Sequence, residues 1–277
     1  MATPSYQIQS VSNTELYNHN NILQAIDDIL IPSLLTLGLR TAHSQLLSTS
    51  TSITSFESQP QPLTITELGC GTGRNTSKLL LPPITPPSPE VGDIQISTIN
   101  ALDLSSAMLS IAQNRCSTII SSLHPSPPNP QPTLTVHSFD TLSPTISPSV
   151  PPLYGTADLV LSTLVIEHLP LDVFFRTVRN LLKKEGGVLV LSSMHAEMGQ
   201  RSQAGFMLEE GVKLQGKSFV YEVQDVLEEG ERWGGRLVGD LLEREVRESD
   251  LGEVVDRGRG EKWVGCKVCF GLVMRFD

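Results

Sequence analysis

The sequence predicts an α/β protein built on a doubly wound, mostly parallel sheet. Three observations predict it. Strand-like apolar runs alternate with helix-like runs along most of the chain. A glycine turn, Gly69-Cys70-Gly71-Thr72-Gly73, separates the first strand-like run from the helix-like run after it. Polar residues of the right chemical type stand just past the ends of successive strands, where such sheets bind ligands.

Taken in order, Thr14–Leu47 reads as one or two helices split at Pro32, because proline lacks a backbone donor and crowds the preceding turn. Leu63–Leu68 is a first strand and Thr72–Leu81 its helix. Ile94–Leu102 and Ser105–Ser122 repeat the unit, and Thr133–Ser138 is a third strand. Asp158–Thr163 is a fourth, followed by a helix over Leu171–Lys183 that Gly186-Gly187 ends. Val188–Ser193 is the fifth strand, Tyr221–Arg232 a helix, and Arg236–Val246 and Trp263–Phe276 close a sheet of seven. Ser48 to Pro62, Leu81 to Pro89, His124 to Pro132 and Pro144 to Pro152 read as loops. The last three interrupt a regular alternation, so they read as surface insertions within one domain, with a helical cap and loop over 1–58 and a core over 59–277.

The chain has 277 residues and a formal net charge of -10, enough for one large α/β domain. That acidic balance argues against a nucleic-acid partner, which needs concentrated Lys and Arg. No apolar run is expected to approach a membrane span, and Met1-Ala2-Thr3-Pro4-Ser5 lacks a signal-peptide layout. A soluble, cytoplasmic protein with a small-molecule partner is the expectation. Cys266-Lys267-Val268-Cys269 has zinc-knuckle spacing without a second pair, and residues three apart on a strand face opposite sides. These cysteines read as packing, and no metal is expected.

The turn itself reads Glu67-Leu68-Gly69-Cys70-Gly71-Thr72-Gly73-Arg74. The dinucleotide fingerprint would need a glycine at Arg74, which disfavours a nicotinamide-dependent oxidoreductase. The run resembles the first motif of the class I S-adenosylmethionine (SAM)-dependent methyltransferases. Asp103-Leu104-Ser105-Ser106-Ala107-Met108-Leu109 resembles that family's ribose motif, and Ser162 through Glu167-His168-Leu169 resembles the motif of its small-molecule members, of the type 11 and 12 kind.

The resemblance implies a Rossmann-like sheet with an antiparallel C-terminal strand and an N-terminal segment capping the pocket. It implies that Gly69, Cys70, Gly71 and Gly73 lie against the methionine part of SAM, with Glu67 near its cationic groups. Asp103 would take the ribose hydroxyls, as a carboxylate presents two acceptor oxygens. Leu104 and Met108 would pack on the adenine, Asp140 would take its amino group and Phe139 would wall the ring. Ser162 belongs to the same cofactor set. His168 would wall the active site or bond backbone, and His195, past the fifth strand, stands where a general base would meet the acceptor. Gly199 to Phe206 would form a lid, and Tyr6, Tyr17 and His19 are weaker candidates on the cap.

The Asn/Asp-Pro-Pro-aromatic motif of amino-group methyltransferases is absent after the fourth strand. The expected activity is SAM-dependent methyl transfer to a small molecule, preferably at oxygen, in specialised metabolism. Carbon and nitrogen acceptors stay open. Two other readings stay open as well: a SAM-binding protein that catalyses a cyclisation or rearrangement without methyl transfer, and a non-catalytic partner subunit.

Overall fold

The computed structural model describes residues 21–50, 61–81, 94–122, 131–143, 153–202, 205–207, 213–215 and 218–277. The order along the chain is α1 (Ile22–Ser50), β1 (Leu63–Leu68), α2 (Arg74–Leu80), β2 (Ile96–Asp103), α3 (Ser106–Ser122) and β3 (Thr133–Ser138). Then come β4 (Leu159–Thr163), a 3-10 turn (Ile166–His168), α4 (Leu171–Leu181), β5 (Gly187–Met194) and α5 (Ala196–Arg201). The ribbon β6 (Gly205–Met207) and β7 (Lys213–Gln215) precedes α6 (Val223–Arg232), β8 (Gly235–Leu237), β9 (Leu242–Glu245), α7 (Arg257–Gly260) and β10 (Lys267–Phe276).

One sheet runs β3-β2-β1-β4-β5-β10-β8, with β9 also on β10. β1 to β5 are parallel, and β10 is antiparallel to β5, from Cys269 opposite Met194 to Phe276 opposite Gly187. The strand order reverses between β1 and β4, and in sheets of this kind ligands bind beyond the carboxyl ends of the strands at such a switch point. β4 is buried at every position because helices cover both of its faces. On one face, α1 buries Ile26, Ile31, Leu34 and Leu35, α2 buries Leu79 and Leu80, and α3 buries Cys116, in one core with Ile65, Ile99 and Val190. On the other, α4 and α6 bury Phe174, Phe175, Val178 and Val226 against Phe270, Leu272 and Met274. Each fully buried side chain of this kind contributes roughly 1.5–3 kcal/mol.

Four expectations need correcting. The sheet has eight strands, because the stretch expected as one strand over Arg236–Val246 is two. The chain leaves β10 after Val238 and turns at Gly239, whose φ is +69°, before returning as β9. Pro32 does not split the first helix, which is continuous for 29 residues. Burial of its apolar side along the sheet outweighs the lost backbone bond, which costs about 3 kcal/mol in a helix interior. The same helix overturns the expectation about apolar runs: Ile22–Ser48 is long and apolar enough to cross a membrane, with a mean hydropathy of 1.6. Here that apolar surface lies on β10 and β5. Finally, Cys266 and Cys269 share one core rather than facing apart, since the pairing register slips between Lys267 and Cys269.

The described part of the expected cap, α1, therefore packs on the sheet face. Tyr6, Tyr17 and His19 lie outside the described residues. The stretch expected as a lid begins inside α5 and reaches β6.

Candidate active site

At the end of β1 the chain turns through Gly69 (φ +76°), Gly71 (φ +52°) and Gly73 (φ +74°). Both Gly69 and Cys70 donate their amides to the Leu102 carbonyl, at 2.8 and 2.9 Å, which fastens the turn to the end of β2. The glycines serve different ends. A Cβ on Gly69 would fall 2.3 Å from Val165 Cγ2, and one on Gly73 would fall 2.9 Å from Ala112 Cα, so the protein's own packing excludes side chains there. A Cβ on Gly71 would meet nothing within 4 Å. Gly71 thus borders open space, where backbone can approach a ligand.

Asp103 faces that space. Its Oδ2 accepts from the Gly71 amide and its Oδ1 from the Ser105 amide, both at 2.8 Å. Each oxygen keeps a lone pair for a further donor, and the two amides hold the carboxylate in place. Capping of α3 falls to Ser105, whose Oγ accepts from the Met108 amide at 3.4 Å. Leu104 is 56% exposed beside Asp103, and Met108 is half-buried. The Phe139 amide donates to the Asp103 carbonyl at 2.9 Å, joining β3 to the group. Phe139 is buried, and Asp140 turns its own chain by accepting from Leu142 N at 2.9 Å. The ends of β1, β2 and β3 thus bring Gly71, Asp103, Leu104, Phe139 and Asp140 together.

Glu67 is placed differently. It is fully buried beneath the turn and accepts a hydrogen bond from Thr76 Oγ1. Burial raises its pKa to about 8, outweighing the Thr76 bond and the nearby Arg74 and Lys78 charges, so it is neutral at pH 7. A raised carboxyl pKa stabilises the fold below the unfolded value of 4.5, and that stability is lost as the pH rises through about 8. Glu67→Gln should therefore melt with the wild type in acid and above it at pH 9. Thermal melts across that range check this, and parallel curves would remove Glu67 as the titrating group.

Ser162 is fully buried, and its Oγ donates to the Leu68 carbonyl at 3.1 Å. It latches β4 to β1 and presents no surface to a cofactor, which corrects its assignment to the cofactor set. Past β4, Leu164 adopts φ +57°, the one non-glycine residue with positive φ among the described residues. Such backbone costs about 1–2 kcal/mol. It turns the chain so that Val165 lies against Gly69.

A buried knot of side chains went unread in the sequence. Asp27 of α1 is wholly buried and accepts from Arg74, from Ser192 Oγ and from Asn75 Nδ2 (3.2 Å). Asn75 also donates to Thr163 Oγ1 at 2.9 Å, and Arg74 and Lys78 both reach Asp28. The residues directly after the glycine turn are thereby tied to α1, β4 and β5. A signal was there to find, since Asp27 and Asp28 are the only charges in an apolar run from Ile22 to Leu39.

His195 does not stand free. Its Nδ1 accepts from the Glu197 amide at 3.1 Å, capping α5, and its Nε2 lies 2.8 Å from Glu243 Oε1. With Nδ1 accepting, Nε2 carries the proton and donates to Glu243, so both ring nitrogens are engaged within the protein. The residue expected as general base thus caps α5. His195→Asn, which can also cap, should keep turnover within about tenfold, whereas loss of a general base costs about 10²–10⁴-fold. Steady-state turnover on a methyl acceptor decides this.

His168 is exposed at the end of the 3-10 turn. Its neighbour Glu167 is buried, accepts from Ser193 Oγ at 2.8 Å, and has its pKa raised by that burial. A hollow of about 450 Å³ lined by Gln45, Ser48, Glu185, Gly186 and Asp277 sits at the other end of the sheet, away from this chemistry.

The fold and site define a doubly wound domain with a glycine turn and a backbone-held carboxylate at the ends of β1 and β2. A methyltransferase domain model matches residues 66–190. An uncharacterized methyltransferase of Emericella nidulans is 33% identical over 283 residues, covering 96% of this chain and 92% of the relative. Among solved structures, a SAM-dependent methyltransferase from Clostridium acetobutylicum ATCC 824 shares the fold with a TM-score of 0.51 at 14% identity, covering 96% of each chain. The DhpI–SAH complex gives 0.52 at 15% identity, covering 95% of this chain and 91% of that one. The chain belongs to the class I SAM-dependent methyltransferases, and its cofactor is SAM.

Proposed function

We propose that this enzyme methylates a small-molecule acceptor at oxygen, within specialised metabolism. The carrying observation is the segment Leu164 to Leu169 after β4. It lacks the Asn/Asp-Pro-Pro-aromatic motif that accepts hydrogen bonds from a target amine, and it leaves His168 as its exposed polar side chain. SAM supplies the electrophilic methyl group. The chain holds it through open space at Gly71 and the carboxylate of Asp103, with Leu104, Met108 and Phe139 as apolar walls and Asp140 at the rim. Glu67 and Ser162 support the cradle from beneath. The acceptor lies on the β4 and β5 side, and its hydroxyl proton leaves to water or to His168. A fixed base is dispensable, because alignment and exclusion of water supply most of the rate.

The test is release of S-adenosylhomocysteine (SAH) across a panel of phenols, carboxylic acids, amines and carbon acids, with product masses. Methylated phenols or acids are expected. Methylation confined to amines overturns the oxygen assignment, and isomerised product without SAH would favour the rearrangement reading.

A further inference from the structure

We propose that Phe219 and Tyr221 form a stacking platform for the acceptor, and that the acceptor carries a planar aromatic ring. The inference rests on the small-molecule reading above and adds the substrate's chemical class.

The two rings lie 5.6 Å apart between centroids with only 6° between their planes. Parallel stacking of this kind admits a further ring on the free face. Both ends of the short segment are pinned. The Phe219 amide donates to the Glu167 carbonyl at 2.7 Å, and Tyr221 Oη donates to the Leu169 carbonyl at 2.9 Å. Between them Val220 seats over α5, where a Cβ on Gly199 would come within 2.9 Å of Val220 Cγ2 and 3.2 Å of Met194 Cε. The segment therefore bridges the chain past β4 and the chain past β5, beside the exposed His168. The cradle occupies the ends of β1 to β3, so this is the side left for the acceptor.

Packing accounts for only one of the two rings. Tyr221 precedes the Glu222 cap of α6 and joins the core that holds Val226, as a hydrophobic staple does. Phe219 and Val220 stay 39% and 43% exposed. Two adjacent apolar side chains held open on a segment with fixed backbone form a prearranged surface, which lowers the cost of binding.

The test uses the full chain saturated with SAH, with 2-naphthol, 2-naphthylamine and the saturated alcohol 2-decalol as probes, titrated by calorimetry. Both naphthyl probes should bind, and 2-decalol should bind more weakly. Phe219→Ala should raise the Kd for 2-naphthol about tenfold, with Phe219→Trp restoring it. SAH affinity should hold in both variants, which shows that they are folded. An unchanged 2-naphthol Kd in Phe219→Ala, equal binding of 2-decalol, or no binding of either naphthyl probe overturns the platform. With SAM in place of SAH, methyl transfer to 2-naphthylamine but not to 2-naphthol would sink the oxygen assignment while leaving the platform standing.

Discussion

Asp103→Ala should weaken SAM binding by about 10²–10³-fold, equivalent to about 3–4 kcal/mol. Two losses combine. The ribose hydroxyls lose a charged acceptor, and hydrogen bonds to charged groups contribute about 1.5–3 kcal/mol each. The Gly71 amide also loses its own partner, so the turn that borders the open space is no longer fastened at its tip. Asp103→Asn keeps one acceptor oxygen and should fall between the two. The fold should survive, because the residue stands half-buried at a strand end. Calorimetric titration with SAM and SAH, alongside thermal melts, measures both. Unchanged affinity in a folded Asp103→Ala protein would take the ribose role away from this residue.

The second large effect is on stability. Asp27→Ala should destabilise the protein by about 3–5 kcal/mol, the cost of leaving one partner of a buried ion pair behind. Arg74 would keep only the half-exposed Asp28, while Asn75 and Ser192 would each lose an acceptor. SAM affinity should fall as well, since Arg74 and Asn75 directly follow Gly73. Urea unfolding measures the first effect and calorimetry the second. The double variant Asp27→Leu with Arg74→Leu should recover much of the stability, because replacing a buried pair by apolar groups is often neutral. A loss below about 1 kcal/mol in Asp27→Ala would mean that the pair behaves like a surface salt bridge.

What could be read from the sequence was local. β1 and β3 lie where the alternation of apolar residues places them, and the glycine spacing marks the turn without knowledge of the fold. The position of Asp103 at the end of β2 could be read because its two backbone partners, Gly71 and Ser105, lie within the motifs that flag it. The parts that could not be read depend on distant partners. His195 resembles a base until Glu243, 48 residues later on β9, takes its Nε2. Asp27 becomes significant only when Ser192, 165 residues away, is brought to it. The eighth strand depends on one glycine's positive φ, and Leu164 carries no compositional sign of its turned backbone. Pro32 shows the opposite failure, a strong local signal overruled by burial.

The placement of α1 also constrains how the polypeptide can be made. This helix is made before the surface it rests on, which is built from Gly187–Met194 and Lys267–Phe276. Until those strands follow, the apolar helix lacks the surface that covers it, and contacts so far apart in sequence form slowly. A nascent chain in that condition depends on holdase chaperones, and expression without them should yield aggregates in preference to a stable intermediate.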